Sequence, residues 1–214
     1  MTFLYPITFF VIAYLLGSFP TAFLVTKKFT GKDIRKEESK NVGALNVMRT
    51  TGKPLLFILT AMVDIGKGAL AVFLPQKLSF LNYNILWATS LAAFGVILGH
   101  CFSIYFKLKE GRFSGGKAQA SLIGVLAVLN FQWLLLPWAG IAILFILTTQ
   151  IFFFGQFIGN IFLPLIGFYL DKKYFLACLL MTLPIFVKQW PHFPSALYGE
   201  RPKWYWKKKT INQS

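Results

Sequence analysis

Charged side chains are scarce in this sequence. They make up 14% of its 214 residues, whereas soluble domains carry about 25%. Only seven of them are acidic, against 22 lysines and arginines, so the formal net charge is +15. The chain is instead 56% hydrophobic and 18% aromatic. This composition argues against a soluble globular protein and predicts a single transmembrane domain, 1–214, without a separate soluble domain.

Cysteine and histidine are also rare. The two cysteines, Cys101 and Cys178, lie in apolar stretches and are expected to be free thiols. Neither histidine, His100 or His192, belongs to a cluster with metal-ligand spacing. No Ser-His-Asp constellation is evident. We therefore expect neither a metal nor another cofactor.

Apolar runs long enough to cross a hydrocarbon core of about 30 Å recur along the chain, which predicts an all-α polytopic membrane protein. One run, 118–150, is too long for a single crossing, and Asn130 with Gln132 is the expected turn within it. The first run contains a Gly-Ser-Phe-Pro interruption near its end. The seven predicted spans are 3–25, 55–75, 84–106, 118–130, 133–150, 151–170 and 174–189.

The basic residues lie in segments between the spans. Eight occupy 26–54, four occupy 107–117 and others lie in the tail 190–214. The positive-inside rule predicts that these segments are cytoplasmic, and seven spans then place the N terminus outside and the C terminus in the cytoplasm. Membrane orientation and anionic ligands explain the positive charge better than nucleic acid does.

Two polar islands within 26–54 and 107–117 have the chemistry of a phosphate pocket. Glycines let backbone N–H groups approach an anion, arginine offers a planar fork, and lysine offers a point charge. The helix that follows Lys117 would add the positive end of its dipole. The glycine spacing is not that of a nucleotide-binding P-loop. The candidate residues are Ser39, Asn41, Gly43, Asn46, Arg49, Ser114, Gly115, Gly116 and Lys117.

Each of these features also has a plainer interpretation. Basic residues in a cytoplasmic loop can serve only as orientation signals, and Gly-Gly before a helix can be only a turn. Asp64 and Lys67 share one face of a helix, as a structural ion pair or as support for the pocket. His100, at the end of a span, is an interfacial hydrogen-bonding residue or a catalytic base.

The first island resembles a known motif, as does the second. The order of Ser39, Asn41, Gly43, Asn46 and Arg49 is similar to the motif Gly-Ser-Gly-Asn-x-Gly-Ala-Thr-Asn-x-x-Arg-x-x-Gly of the bacterial acyl-phosphate-dependent glycerol-3-phosphate acyltransferases. The run Gly115-Gly116-Lys117 matches the core of that family's second motif, Phe-Lys-Gly-Gly-Lys-Gly. Shorter similarities are found at Gly31-x-Asp33-Ile34-Arg35, Asp64-x-x-Lys67-Gly68 and Gly99-His100.

The resemblance implies acyl transfer at the cytoplasmic face of a bacterial inner membrane. The sn-1 hydroxyl of glycerol 3-phosphate would attack the carbonyl of an acyl phosphate, giving lysophosphatidic acid and phosphate. Ser39, Arg49 and Lys117 would be catalytic, with Arg49 and Lys117 facing phosphate charge. The expected substrate-binding residues are Asn41, Gly43, Asn46, His100, Ser114, Gly115 and Gly116.

The chain also departs from the family's pattern. Glu38, Lys40 and Ala118 stand at motif glycines, Leu45 at the motif threonine and Ser114 at a motif lysine. The family's C-terminal His-Arg-Glu-Asn motif is replaced by Gln-Trp-Pro-His at 189–192. Two alternatives stay open: a non-catalytic membrane paralogue that binds lipid phosphate, and an organic-phosphate transporter.

Overall fold

The computed structural model describes residues 4–81 and 84–198, and these are all helical apart from turns and one isolated bridge between Ser103 and Ser114. The basic tail beyond residue 198, with Arg201 and Lys203, lies outside the described residues. The helices are α1 Leu4–Ser18, α2 Thr21–Thr30, α3 Ala44–Thr51, α4 Pro54–Lys77, α5 Ile85–Cys101, α6 Ile104–Glu110, α7 Gln119–Asn130, α8 Leu136–Thr149, α9 Phe152–Leu170, α10 Lys172–Gln189 and α11 Phe193–Leu197.

Among the described residues, five helical stretches are long and apolar enough to cross a membrane: Leu4–Thr30, Pro54–Lys77, Gln119–Thr149, Phe152–Leu170 and Lys172–Leu197. A sixth apolar helix, Ile85–Cys101, is shorter. The all-helical membrane class is therefore confirmed, whereas the number of seven crossings remains a prediction.

The predicted spans 118–130 and 133–150 correspond to one 31-residue candidate, Gln119–Thr149. The backbone is nevertheless interrupted at Asn130, where φ is −167° and ψ is 100°. Its side chain accepts a hydrogen bond from the Trp133 backbone N–H at 3.0 Å, which is how an asparagine starts a new helix. A short π-helical turn, Phe131–Leu135, then leads into α8. The helices on the two sides of the break have different packing partners: α7 contacts α4, and α8 contacts α9.

The ends of the predicted spans 3–25 and 84–106 are wrong. The first divides at Phe19–Pro20 into α1 and α2, as its interruption suggested, and α2 continues to Thr30. The third ends at Cys101, and α6 follows after a two-residue turn. The segments predicted as polar loops therefore contain helices. Apolar residues of the first segment, Ile34 and Val47, form a small core with residues of the neighbouring predicted spans such as Phe106.

The helices that carry the site pack closely against one another. A Cβ built at Gly99 would lie 2.1 Å from the Tyr14 carbonyl oxygen, and one at Gly124 would lie 2.0 Å from that of Ile65. Helix pairs α1–α5 and α4–α7 therefore touch backbone to backbone, as small residues allow in membrane helices. This packing brings the end of α1, the middle of α4, the end of α5 and the start of α7 to one place.

Candidate active site

The first island is shaped by the side chain of Asn46, which is 1% exposed. Its amide nitrogen donates to the carbonyl oxygens of Ile34, Glu37 and Asn41 at 3.0–3.2 Å. Its side-chain oxygen accepts from the Ser39 backbone N–H at 3.2 Å. The carboxamide thus replaces the regular backbone pairing that this loop lacks. Asn46 was expected to bind substrate, but its polar atoms are committed to holding the loop.

Arg35 joins the two islands. Its guanidinium bonds both oxygens of Asp33 and makes a two-pronged contact with Glu110, at 2.6 and 2.7 Å. The guanidinium carbon of Arg35 also lies 4.5 Å from the centre of the Phe106 ring. Planar pairing and stacking on an aromatic ring are what arginine offers and lysine does not. The contact spans 75 residues of sequence and fixes the first island against the end of α6.

These bonds also perturb the two carboxylates. The hydrogen bond from Arg35 lowers the pKa of Asp33 and the pKa of Glu110 below their ordinary values of 3.8 and 4.5. Because the charged form accepts the hydrogen bonds, both groups are held ionised.

The two glycines of the second island lie against the end of α5. The Gly116 backbone N–H donates to the His100 carbonyl oxygen at 3.1 Å, and the Ser103 N–H donates to Ser114 O at 2.9 Å. A Cβ at Gly115 would lie 2.3 Å from the His100 carbonyl oxygen. The expectation that Gly116 offers its N–H to phosphate is therefore wrong in this structure, because that donor already has a partner. The glycines are required for close approach.

Gly116 is also where the two islands meet. A Cβ there would lie 2.3 Å from the Val42 carbonyl oxygen and 2.5 Å from His100 Nε2. The residue is thus enclosed between the first island and the histidine ring. The two islands are therefore in contact at this glycine.

His100 is 8% exposed and acts as a joint between four elements. Its Nδ1 lies 3.0 Å from Ser121 Oγ in α7 and 4.0 Å from an Asp64 oxygen in α4. The Val42 carbonyl oxygen and His100 Nε2 both lie close to Gly116, at 2.3 and 2.5 Å from a Cβ built there. Its Nδ1 thus faces Ser121 and Asp64, which favours a positioning role, and the expected substrate contact stays a prediction.

Asp64 and Lys67 form a buried ion pair, with the lysine nitrogen 2.8 Å from the carboxylate. Asp64 also accepts from the Thr21 hydroxyl at 3.1 Å, and Lys67 donates to the Phe19 carbonyl oxygen at 3.2 Å. The pair therefore satisfies backbone and hydroxyl groups that the α1–α2 break exposes. A narrow crevice is lined by the pair, by this break, and by Val42, His100, Gly115 and Gly116.

Three candidate side chains of the first island remain uncommitted. Across residues 4–81 and 84–198, the Ser39 hydroxyl, the Asn41 carboxamide and the Arg49 guanidinium make no hydrogen bond or ion pair. All three are partly exposed. Asn46 and His100 differ from these residues, because their side chains bond other parts of the protein. The side chains of Ser39, Asn41 and Arg49 do not.

The remaining candidates lie beside this junction. Lys117 is partly exposed, and its Nζ lies 5.2 Å from the centre of the Phe153 ring. Gly43 begins α3, and Ser114 pairs with Ser103. The sharing of one anion by Arg49 and Lys117 stays a prediction.

Sequence reasoning missed Lys188. Its Nζ lies 4.8 Å from the centre of the Phe102 ring, directly after the helix end that carries His100. The signal was a single cation at the end of an apolar helix. The neighbouring Gln189 is fully buried, and its side-chain oxygen lies 3.4 Å from Asn160 Nδ2. The residue at the position of the family's C-terminal histidine is therefore part of the helix packing.

The family model described as glycerol-3-phosphate acyltransferase matches residues 7–197. A glycerol-3-phosphate acyltransferase of Synechocystis sp. is 34% identical over 202 residues, covering 90% of this chain and 88% of that protein. One of Nostoc sp. is 32% identical over 209 residues, covering 90% and 89%.

A solved structure is also similar. The crystal structure of PlsY (YgiH), an integral membrane glycerol 3-phosphate acyltransferase in its glycerol 3-phosphate form, matches with a TM-score of 0.80. The match covers 92% of this chain and 94% of that chain, at 22% identity. At this identity the similarity establishes the fold.

Proposed function

Because the chain belongs to the glycerol-3-phosphate acyltransferase family, we propose that it acylates the sn-1 hydroxyl of glycerol 3-phosphate. The donor we propose is a long-chain acyl phosphate. The hydroxyl oxygen bonds to the carbonyl carbon, the bond from that carbon to the phosphate oxygen breaks, and inorganic phosphate leaves. The hydroxyl proton passes to a phosphate oxygen of the substrates, and lysophosphatidic acid is the product.

The observation that carries this proposal is the junction of the two islands at Val42 and Gly116. It places the turn that carries Lys117 against the loop that carries Asn41, next to Val42. Both proposed substrates carry phosphate, and one carries an acyl chain that can lie along the apolar outer faces of the helices. The arrangement matches a headgroup that reacts at a membrane surface.

The chemistry needs little from the protein beyond positioning and charge. An acyl phosphate is already activated, so the reaction requires no protein nucleophile. We assign Arg49 and Lys117 to the negative charge that builds up on the leaving phosphate, since fixed charges of this kind stabilise the transition state. Ser39 and Asn41 orient substrate oxygens. Asn46, Gly116 and His100 keep the two islands in register.

Lys188 adds a third cation to this arrangement. The chain lacks the family's C-terminal His-Arg-Glu-Asn motif, and Lys188 lies one residue before that position, against Phe102. We propose that Lys188 supplies positive charge on this side of the site.

The proposed membrane topology has seven crossings, with the N terminus outside and both islands in the cytoplasm. It is supported by the basic residues of 26–54 and 107–117 and by the break at Asn130, which divides the longest apolar stretch. The proposed location is the inner membrane of a bacterium, where both substrates reach the site from the cytoplasmic side.

The test is a direct assay of the purified chain in detergent, supplied with palmitoyl phosphate and glycerol 3-phosphate. We expect release of inorganic phosphate that depends on both substrates, with lysophosphatidic acid formed in equal amount. Phosphate release without the acceptor would indicate hydrolysis instead of transfer. Absence of turnover with every polyol phosphate acceptor would favour the non-catalytic paralogue. Uptake of glycerol 3-phosphate into sealed proteoliposomes without acylation would favour the transporter.

A further inference from the structure

A second cleft lies between the first island and the segment 112–114. It holds about 680 Å³ of space, counting its open mouth. Its walls carry four cations, Arg35, Lys36, Lys40 and Arg112, and one carboxylate, Asp33. Of the residues assigned above to acyl transfer, only Ser114 reaches this cleft.

Positive charge exceeds negative charge around this cleft. The carboxylates of Asp33 and Glu110 both form ion pairs with Arg35. Lys36, Lys40 and Arg112 form no ion pair within the described part of the chain. Three positive groups around one concave surface focus a potential that attracts anions.

The backbone of Lys40 shows that its side chain is held there at a conformational cost. Its φ is 56°, in the left-handed region that residues other than glycine rarely adopt. Glu38, two residues earlier, has a φ of 44°. The family motif has glycine at both positions, and glycine would adopt these angles without strain. Strained residues of this kind concentrate at functional sites.

We propose that this cleft is a second phosphate-binding site, beside the site of acyl transfer, formed by Lys36, Lys40 and Arg112. Arginine offers a planar pair of donors to phosphate oxygens, and lysine adds a mobile point charge. The half-exposed Phe113 lines the same cleft, so its mouth has an apolar edge. A soluble phosphate and the headgroup of an anionic phospholipid both present the required oxygens. The proposal does not depend on whether the chain catalyses acyl transfer.

Titration calorimetry with inorganic phosphate tests the site in the purified full-length chain. An Arg49→Ala background removes one cation of the proposed reaction site, and the same titrations with Arg49 intact control for folding. We expect Lys40→Gly and Arg112→Gln each to weaken phosphate binding about tenfold, as the loss of one charge-assisted contact predicts. The matched control is Glu38→Gly, which relieves the same kind of backbone strain but removes a negative charge. It should bind phosphate as tightly as its parent, or more tightly.

Two bilayer compositions separate the possible sources of the phosphate. The chain is reconstituted in lipid nanodiscs of phosphatidylcholine alone or with phosphatidylglycerol. If a lipid headgroup fills the cleft, phosphatidylglycerol weakens the binding of inorganic phosphate, and Lys40→Gly abolishes this difference. If the ligand is soluble, both nanodiscs give the same affinity.

The site is refuted if the Lys40→Gly and Arg112→Gln chains bind phosphate as tightly as the Glu38→Gly chain. Failure of the proposed acyl transfer is recognised separately. It would appear as absent turnover in the parent chain, with the phosphate titrations unchanged. We expect Lys40→Gly and Arg112→Gln to keep turnover at saturating substrate.

Discussion

Gly116 lies against both the backbone and the ring of His100. The Gly116 N–H donates to the His100 carbonyl oxygen at 3.1 Å, and a Cβ on Gly116 would lie 2.5 Å from the Nε2 of the same histidine. The Val42 carbonyl oxygen would lie 2.3 Å from the same Cβ. The gap between the first island and His100 therefore has room for a glycine but not for a larger residue. The junction depends on this fit.

Gly116→Ala should therefore separate the islands. Backbone oxygen cannot move aside cheaply, so we expect a loss of about 2 kcal/mol in stability and a larger loss of turnover. Thermal unfolding in detergent and the phosphate-release assay measure the two effects. Gly140→Ala is the control, because a Cβ there meets nothing within 4 Å. Equal behaviour of the two variants would contradict the account.

The left-handed backbone at Glu38 and Lys40 predicts that glycine stabilises the chain. Both side chains are exposed, so Glu38→Gly or Lys40→Gly relieves strain while losing little packing. We expect a gain of about 0.5–1 kcal/mol for each, after the entropy that glycine adds to the unfolded chain. Alanine at the same positions keeps the Cβ and should give no gain. A similar midpoint of thermal unfolding for the glycine and alanine variants would show that the strain is absent.

Arg49→Ala and Lys117→Ala should each lower turnover about 10²–10³-fold, the usual effect of removing one group that stabilises transition-state charge. Steady-state phosphate release with palmitoyl phosphate and glycerol 3-phosphate measures this. Lys28→Ala, an exposed cation in the last turn of α2, should retain parental turnover. Retained turnover in both Arg49→Ala and Lys117→Ala would remove these residues from the site.

The Arg35–Glu110 contact predicts a dependence of stability on pH. The pKa of Glu110 is lowered by its hydrogen bond to Arg35. The stabilisation is therefore complete above the ordinary value of 4.5 and is lost as the pH falls through the lower pKa of the folded state. Thermal midpoints of the parent and of Glu110→Gln should differ by a constant amount near neutral pH and converge in acid. Parallel curves down to the lowest pH would contradict this role.

Breaking the Asp64–Lys67 pair should be costly, while replacing both partners should be tolerated. Asp64→Leu or Lys67→Leu alone leaves an uncompensated buried charge, at about 3–5 kcal/mol. The double variant removes both charges and should be more stable than either single variant. Thermal unfolding of the three chains gives the coupling. A double variant with the summed loss would mean that the two charges do not interact.

Local pattern was sufficient for the membrane class and for much of the helix order. Long apolar runs have few alternatives to helix in a bilayer, because the backbone must satisfy its own hydrogen bonds there. The Gly-Ser-Phe-Pro break and the interruption at Asn130 also follow from residues near in sequence. The motifs of the two islands pointed to the family.

The sequence did not predict which polar side chains of the islands bond the protein itself and which do not. In the sequence, Asn46 and Arg49 both have the character of polar ligands. Only the folded loop shows that the Asn46 side chain is hydrogen-bonded to the loop and that the Arg49 side chain is not. The Arg35–Glu110 contact and the enclosure of Gly116 by Val42 and His100 depend on groups far apart along the chain.

The sequence by itself determined that this chain is an all-helical membrane protein with two cationic, glycine-containing islands, because hydropathy and motif order are properties of neighbouring residues. Tertiary structure alone decided which polar side chains hold the islands together and which remain for a ligand. That choice depends on which donors and acceptors already have partners, and those partners come from helices distant in sequence.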